Sequence, residues 1–514
     1  MQCRLTVATS LAMTALAIAG SLRADSEPVV RNQAVPQDVE IVMLTGDPLP
    51  GQDGKAQRFG PPAMAGIDHM VFRHGATLPT LQAIYHHKSG NISPIAIRDD
   101  TTIDNQYEIG GGPFGTEDGE ATINEHGQIL FNANITPIDA PGSDDALIAG
   151  SPDGDLGLVV RDGDPSPDGN GLISNRLSQP GVINQAGQMA FFNWLYDTEG
   201  GSSDNRAVFF RESPGDPLEI VARKGDPVPG SDEFTLDDPS TPVLNDSGQV
   251  TFLSDFQEPG PASAGVFTWD GGAIQVVSMT GDPWPDCNSA DLGRHFRFDF
   301  NNAGQTLFTT TCPGWGASSS TARLVFMHEG GSLNLLASLG DSIPGLTDET
   351  YSSFWRVRLN NAGHAIFNFR YIGGSGIGLH DGSLKTIAAS GMPAPGGGTF
   401  RTTNQAFRNF NINDFGQVVF SASVDDVDGD TRSGVFFYNG HGDLQQILRH
   451  DDPLLGSAIE SFSIRYGWPR GSRAIDDRGR VGISFRLADD RRGILVSNAG
   501  VISDQLFEDR FEGN

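Results

Sequence analysis

Short apolar stretches separated by turn residues run the length of the chain, and their order recurs. After an Asn-x-x-Gly phrase the side chains follow a strand pattern, as in Gln417-Val418-Val419-Phe420-Ser421-Ala422. A variable polar loop follows, then a second strand such as Gly434-Val435-Phe436-Phe437-Tyr438. Asn439-Gly440, or Asp270-Gly271 and Asp381-Gly382 at the equivalent place, is a hairpin turn. A third strand, here Leu444 to Leu448, runs into a Gly-Asp-Pro phrase whose prolines lack the N–H donors a ladder needs. A fourth stretch with an aromatic (Phe234, Phe296, Phe354, Phe400, Phe462) leads to the next Asn-x-x-Gly. Each unit therefore predicts about four strands.

The first phrase reads INEHGQILF from Ile123, INQAGQMAF from Ile183, LNDSGQVTF from Leu244 and FNNAGQTLF from Phe300. It continues as LNNAGHAIF from Leu359, INDFGQVVF from Ile412 and IDDRGRVGI from Ile475. Its turn residues are Asn124 and Gly127, Asn184 and Gly187, Asn245 and Gly248, Asn301 and Gly304, Asn360 and Gly363, and Asn413 and Gly416, with Asp476 in the last copy. Successive spacings are 60, 61, 56, 59, 53 and 63 residues. A shortened copy, Ile67-Asp68-His69-Met70-Val71-Phe72, precedes them and makes eight. Asn bonds its own backbone in such a turn and Gly supplies the positive φ, so a structural role is expected for both.

The second phrase is TGDPLPG at Thr45, DGDPSPDG at Asp162, KGDPVPG at Lys224, TGDPWPD at Thr280 and LGDSIPG at Leu339. It degenerates to SGMPAPGG at Ser390, HDDPLLG at His450 and Arg98-Asp99-Asp100-Thr101. Its recurrent Asp (Asp47, Asp164, Asp226, Asp282, Asp341) has two readings. One is a ring of carboxylates for cations or a polar ligand. The other is an Asx-turn that fixes the following Pro, which recurrence in every unit favours.

Four short antiparallel strands repeated radially describe an all-β fold, a β-propeller of about eight repeats. Seven is the alternative, because the unit from Asp68 to Asp99 is degenerate. The last unit, from Asp476, has two strands (Val481 to Phe485 and Gly493 to Asn498) and no Gly-Asp-Pro phrase. The segment Val39 to Leu44, followed by Gly46-Asp47-Pro48, supplies what is missing, so the N- and C-terminal strands are expected to share one blade.

The alternating NxxGQVxFxA and GDPxPG phrases resemble those of an uncharacterised family of tandem-repeat proteins exported by bacteria, over residues 39 to 498. That resemblance implies export and no established activity or catalytic residue. The tail Leu506-Phe507-Glu508-Asp509-Arg510-Phe511-Glu512 is similar to a short Phe-x-Asp-Gly-Phe-Glu tail of some exported proteins, with Arg510 in place of Gly.

Composition sharpens this picture. Among 514 residues there are 65 Gly, 31 Pro and 31 Phe, which suits a turn-rich β protein with a large core. The net charge of −30, with only four Lys (Lys55, Lys88, Lys224, Lys385), argues against non-specific nucleic-acid binding and for solubility outside the cell. Arg4, the apolar run Leu5 to Ile18 and small residues at Ala17-Ile18-Ala19 and Ala24 predict a signal peptide over 1–24. A linker over 25–38, one propeller domain over 39–502 and a tail over 503–514 follow. No later run reaches the length of a membrane span, so an extracellular or cell-surface location is expected, with the periplasm as alternative. Cys3 falls within the signal peptide. Cys287 and Cys312 then predict one disulfide in an exported chain, worth about 3 kcal/mol by loop entropy. No C-x-x-C or Cys/His cluster suggests zinc.

Asp425-Asp426-Val427-Asp428-Gly429-Asp430 is the densest acidic run. Asp426, Asp428 and Asp430 suit Ca²⁺ on a tight loop, without the distal Glu of an EF-hand; a solvated hairpin loop is the alternative. Asp153-Gly154-Asp155 with Asp162 is a weaker version. No other cofactor is expected. His69, His74, His86 and His87 gather in the degenerate unit without a zinc spacing, and surface exposure is expected of them. G-x-S-x-G, H-E-x-x-H and P-loop motifs are absent. The expectation is a monomeric, exported, non-enzymatic binding or scaffold module for a glycan or surface protein. The alternative is a secreted polysaccharide-active hydrolase or lyase with an axial site. Charged or aromatic residues that break the repeat and converge at one mouth would separate the two.

Overall fold

A computed structural model describes residues 29–30 and 39–498, apart from 76–82, 111–120, 140–141, 153, 155, 176, 178–180, 241, 258–262, 288–289, 314–322, 404–405 and 466–472. The signal peptide, most of the linker, the tail, Asp153 and Asp155 lie outside the described residues.

The described residues form eight sheets in sequence order, the blades of a β-propeller, antiparallel throughout except that Val29–Val30 pairs parallel with Asp443 and Leu444 at the outer edge of the seventh. Blade 6 shows the plan, with strands Ser353–Leu359, Ala365–Tyr371, Gly374–His380 and Leu384–Ala389. Leu359 pairs with Ala365 across the Asn-x-x-Gly turn, Tyr371 with Gly374, and His380 with Leu384. Both flanks of Asn-x-x-Gly are thus hydrogen-bonded neighbours, and the strand before it is the innermost of the blade. The Gly-Asp-Pro phrase lies where the chain leaves an outermost strand and crosses to the next blade. Each structural blade is therefore one strand out of phase with the unit read from Asn. The tight turn keeps its two strands paired, whereas the prolines end a ladder.

Alternate residues of a strand face opposite neighbouring blades. Ile366 joins a core with Phe400, Phe420 and Phe436 of blade 7, while Phe367 joins one with Leu307 and Val325 of blade 5. A cross-strand Phe pair recurs at one place in the second and third strands. Phe191–Phe209, Phe252–Phe267, Phe308–Phe326 and Phe420–Phe436 have ring centroids 5.3, 5.6, 5.7 and 5.7 Å apart. Each repetition buries two large rings between blades, and these four pairs hold eight of the 31 phenylalanines.

The degenerate first unit forms a regular blade, Ala63–Ala65, His69–His74, Ala83–Lys88 and Asn91–Ile97. Its turn corrects the alignment of Asp68. Ala65 pairs with His69, so Ala65 holds the place of the recurrent Asn. Asp68, at φ 74°, holds the place of Gly127 at φ 80°. The four histidines of this blade are buried rather than exposed. His69 Nδ1 and His86 Nε2 share a hydrogen bond of 2.9 Å, and His74 Nε2 accepts from the Gln57 amide at 3.0 Å. These contacts lie inside the blade and hold the rings of His69, His74 and His86 away from solvent.

Val39–Leu44 lies antiparallel on Arg492–Ser497, from Val39 opposite Ser497 to Leu44 opposite Gly493. The N-terminal strand is the outer strand of blade 8, and C-terminal segments supply the strands inside it. Cys287 and Cys312 form the expected disulfide, with Cα atoms 5.3 Å apart.

Candidate functional site

The inner strands line an axis with two unlike ends. At one end stand the Asn-x-x-Gly turns. Asn124 Oδ1 accepts from the amides of His126 and Gln128 at 3.0 and 2.9 Å, which closes its own turn. Its Nδ2 donates to the Asn184 carbonyl of the next blade at 2.7 Å. The same link runs from Asn184 to Asn245, Asn301, Asn360, Asn413 and Asp476, at 2.9, 3.5, 3.0, 2.9 and 3.0 Å. A second circuit uses the following residue. The amides of Glu125, Gln185, Asp246, Asn302, Asn361 and Asp414 each donate to the next blade's side-chain oxygen, at 2.9–3.4 Å. Asp477 N carries it on to the Gly66 carbonyl of blade 1 at 3.0 Å. Gly66 is required there, because a Cβ would sit 2.8 Å from that of Glu125. Asp476 has no side-chain amide to donate. Arg480 Nε instead binds Asp476 Oδ2 at 2.7 Å, and its Nη1 reaches Asp68 of blade 1.

The second circuit surrounds a small axial cavity of about 60 Å³. Oxygens of Glu125, Asp414 and Asp477 lie within 4.8 Å of one another. The Arg473 guanidinium sits 3.6 Å from both Asp414 and Asp477. Burial, reinforced by Asp414 and Glu125, pushes Asp477 up to about 7 against the pull of Arg473. The protein walls of the cavity push Glu125 upward as well. Arg473 stays charged: burial works against it and the surrounding carboxylates outweigh that effect. This end holds room for about two waters at ~30 Å³ each.

The recurrent aspartates of the second phrase do not meet on the axis. Each sits at the end of the outermost strand of its own blade and accepts from the amide three residues earlier. The distances are 2.7 Å for Asp47, 3.0 for Asp164, 2.7 for Asp226, 2.7 for Asp282 and 2.9 for Asp341. Asp426, Asp428 and Asp430 do come together, around Arg432. Its Nη1 lies 2.8 Å from Asp426 and 2.9 Å from Asp428, its Nη2 3.2 Å from Asp430, and its Nε 2.9 Å from Asp451. The second oxygen of Asp426 binds Arg449. A Ca²⁺ ion would have to displace a guanidinium that already uses these oxygens.

The opposite end of the inner strands differs in charge. The register slips between Phe354 and Val357 in blade 6 and between Arg408 and Phe410 in blade 7, and such bulges re-aim the side chains they carry. Between these blades lies a cavity of about 180 Å³. Trp355, Arg356, Arg370, Arg408, Asn368 and Asn409 line it, and among the described residues no carboxylate, histidine or cysteine does. Trp355 is 44% exposed, the one exposed tryptophan among the described residues. The Arg370 guanidinium stacks 4.2 Å from the centre of its ring. Asn368 Oδ1 accepts from the Arg356 amide at 2.7 Å and fixes the bulge. Burial lowers the pKa of Arg370. The sequence reading did not single out these residues. Their signal is Trp355-Arg356-Val357-Arg358 standing just before a recurrent Asn in a chain poor in bases.

The structure is similar to solved propellers at the level of fold. The β-propeller domain of the trilobed protease of Pyrococcus furiosus matches with TM-score 0.41 and 10% identity, over 79% of this chain and 99% of that one. The Dos1 propeller matches with TM-score 0.40 and 9% identity, over 90% and 96%. Acylaminoacyl peptidase of Pyrococcus horikoshii matches with TM-score 0.41 and 11% identity over 76% of this chain, which spans only 52% of that one. No curated protein matches. A family profile matches residues 72–503, and the chain belongs to that family, a family of unknown function (DUF7453).

Proposed function

We propose that this chain is an exported, non-enzymatic binding module that takes its ligand at the arginine-and-tryptophan mouth between blades 6 and 7. One observation carries the reading: a cavity of about 180 Å³ lined by three arginines and an exposed tryptophan, with no carboxylate, histidine or cysteine among the described residues that line it. Chemistry by general acid–base catalysis needs a His, carboxylate or similar group within hydrogen-bond reach of the ligand. Guanidinium groups hold anions and stay charged. Export rests on the N-terminal signal pattern.

The hydrolase or lyase reading has its own support in the close carboxylates Glu125, Asp414 and Asp477 and the raised pKa of Asp477. Their cavity of about 60 Å³ is far too small for a sugar ring, and Arg473 already stands beside Asp414 and Asp477. A screen of the purified mature protein against glycosidase, polysaccharide-lyase and peptidase substrates tests the choice. No turnover is expected. Turnover that Glu125→Gln or Asp477→Asn abolishes would establish the enzyme instead. N-terminal sequencing of protein recovered from the culture fluid and envelope tests export, with cleavage after Ala19 or Ala24 expected.

A further inference from the structure

We propose that the mouth between blades 6 and 7 binds a single uronic acid unit of a glycan, with Trp355 as the platform for the sugar ring and Arg408 as the principal partner of its carboxylate. This rests on the reading that the mouth is the binding site and names the ligand class it takes.

Three features converge. First, the local charge opposes that of the molecule. The chain has 64 acidic residues against 34 basic, yet three arginines and, among the described residues, no carboxylate line this cavity. Second, Arg408 is uncommitted. Its side chain is exposed, and among the described residues its guanidinium has no hydrogen-bond or ion-pair partner, whereas Arg432, Arg449 and Arg480 are each engaged by aspartates. A planar guanidinium left open beside an aromatic matches a carboxylate in bidentate fashion. Third, Trp355 is exposed at the same opening, with Arg370 stacked on its ring. A sugar presents an apolar C–H face to such a ring and hydroxyls to amides, here Asn368 and Asn409.

Size and net charge limit the ligand to one or a few units. The cavity equals about six waters of liquid volume, at ~30 Å³ each. Screening confines attraction to about 8 Å at physiological salt, so the three arginines act on a carboxylate at the mouth. A long polyanion would also meet the remainder of a surface whose net charge is −30.

Calorimetric titration of the mature protein with trigalacturonate, triglucuronate, maltotriose and pentaglutamate tests this. One or both uronate trisaccharides are expected to bind and maltotriose not to. Trp355→Ala and Arg408→Glu are each expected to weaken binding at least tenfold at unchanged melting temperature, and Arg408→Lys to retain part of it. No binding of either uronate at millimolar concentration overturns the ligand class. If maltotriose or pentaglutamate then binds and the two substitutions abolish it, the mouth remains the site for a different ligand. Uronate binding that neither substitution affects overturns the site itself, and with it the reading it rests on.

Discussion

An asparagine that closes its own turn and also grips the next blade is the smallest unit of this fold. Asn360 is fully buried, its Oδ1 accepts from the His364 amide at 2.7 Å, and its Nδ2 donates to the Asn413 carbonyl at 2.9 Å. Asn360→Ala should cost about 2–4 kcal/mol in urea unfolding, because it leaves buried amide and carbonyl groups unpaired. A loss under about 1 kcal/mol would show that the circuit is incidental. The turn role of Asn was legible in the sequence from Asn-x-x-Gly alone. Its reach to the next blade was not, since one unit in isolation gives no partner. Titration belongs to this scale too. Burial lowers His69 and His87 and takes His295 from 6.5 to about 3, so for these groups the unfolded chain binds more protons below about pH 6.5. Their contribution to stability therefore falls as pH drops through that window. Asp477 has the opposite sign, raised from 3.8 to about 7, and loses stability as pH rises between those values. Melting curves from pH 4 to 7 should show His295→Gln flattening the acid-side fall and Asp477→Asn steepening it.

Strands and turns explain why the repeat was readable and its phase was not. Periodicity located the strands, and Pro-containing phrases located their ends. Asn-x-x-Gly and Gly-Asp-Pro both read as turns, however, and only the pairing of Leu359 with Ala365 shows which one lies within a blade. The second circuit was visible in outline, because the residue after each recurrent turn Asn or Asp is Glu, Gln, Asp or Asn in every copy from Glu125 to Asp477. At this scale the disulfide is the clearest lever. Cys287 and Cys312 are 25 residues apart, so reduction, or Cys287→Ser with Cys312→Ser, should cost between about 3 and 4 kcal/mol. Equal stability of the oxidised and reduced protein would refute that.

The termini meet inside blade 8, where Val39–Leu44 pairs with Arg492–Ser497, and at the seam that follows the chemistry changes from amide to ionic. Six links use Asn, while the seam between blades 8 and 1 uses Arg480 between Asp476 and Asp68. Arg480→Ala leaves the Asp476 charge buried without its partner and should cost about 3–5 kcal/mol, more than any single Asn link. A cost below that of Asn360→Ala would show that the seam between blades 8 and 1 does not depend on this ionic link. Ring closure by Val39 to Leu44 was legible because the last unit lacks the phrase the first segment carries. The arginine mouth was not, because bulges in two separate blades bring together residues about fifty positions apart, Trp355 and Arg408 among them. The molecule thus holds a narrow acidic cavity at the turns and an arginine-lined mouth between blades 6 and 7 at the other end of the inner strands. A crystal structure of the mature protein with trigalacturonate tests that account most directly. A sugar ring against Trp355 with its carboxylate on Arg408 is the result it predicts. Sugar density at any other place, or a vacant mouth at saturating ligand, would contradict it.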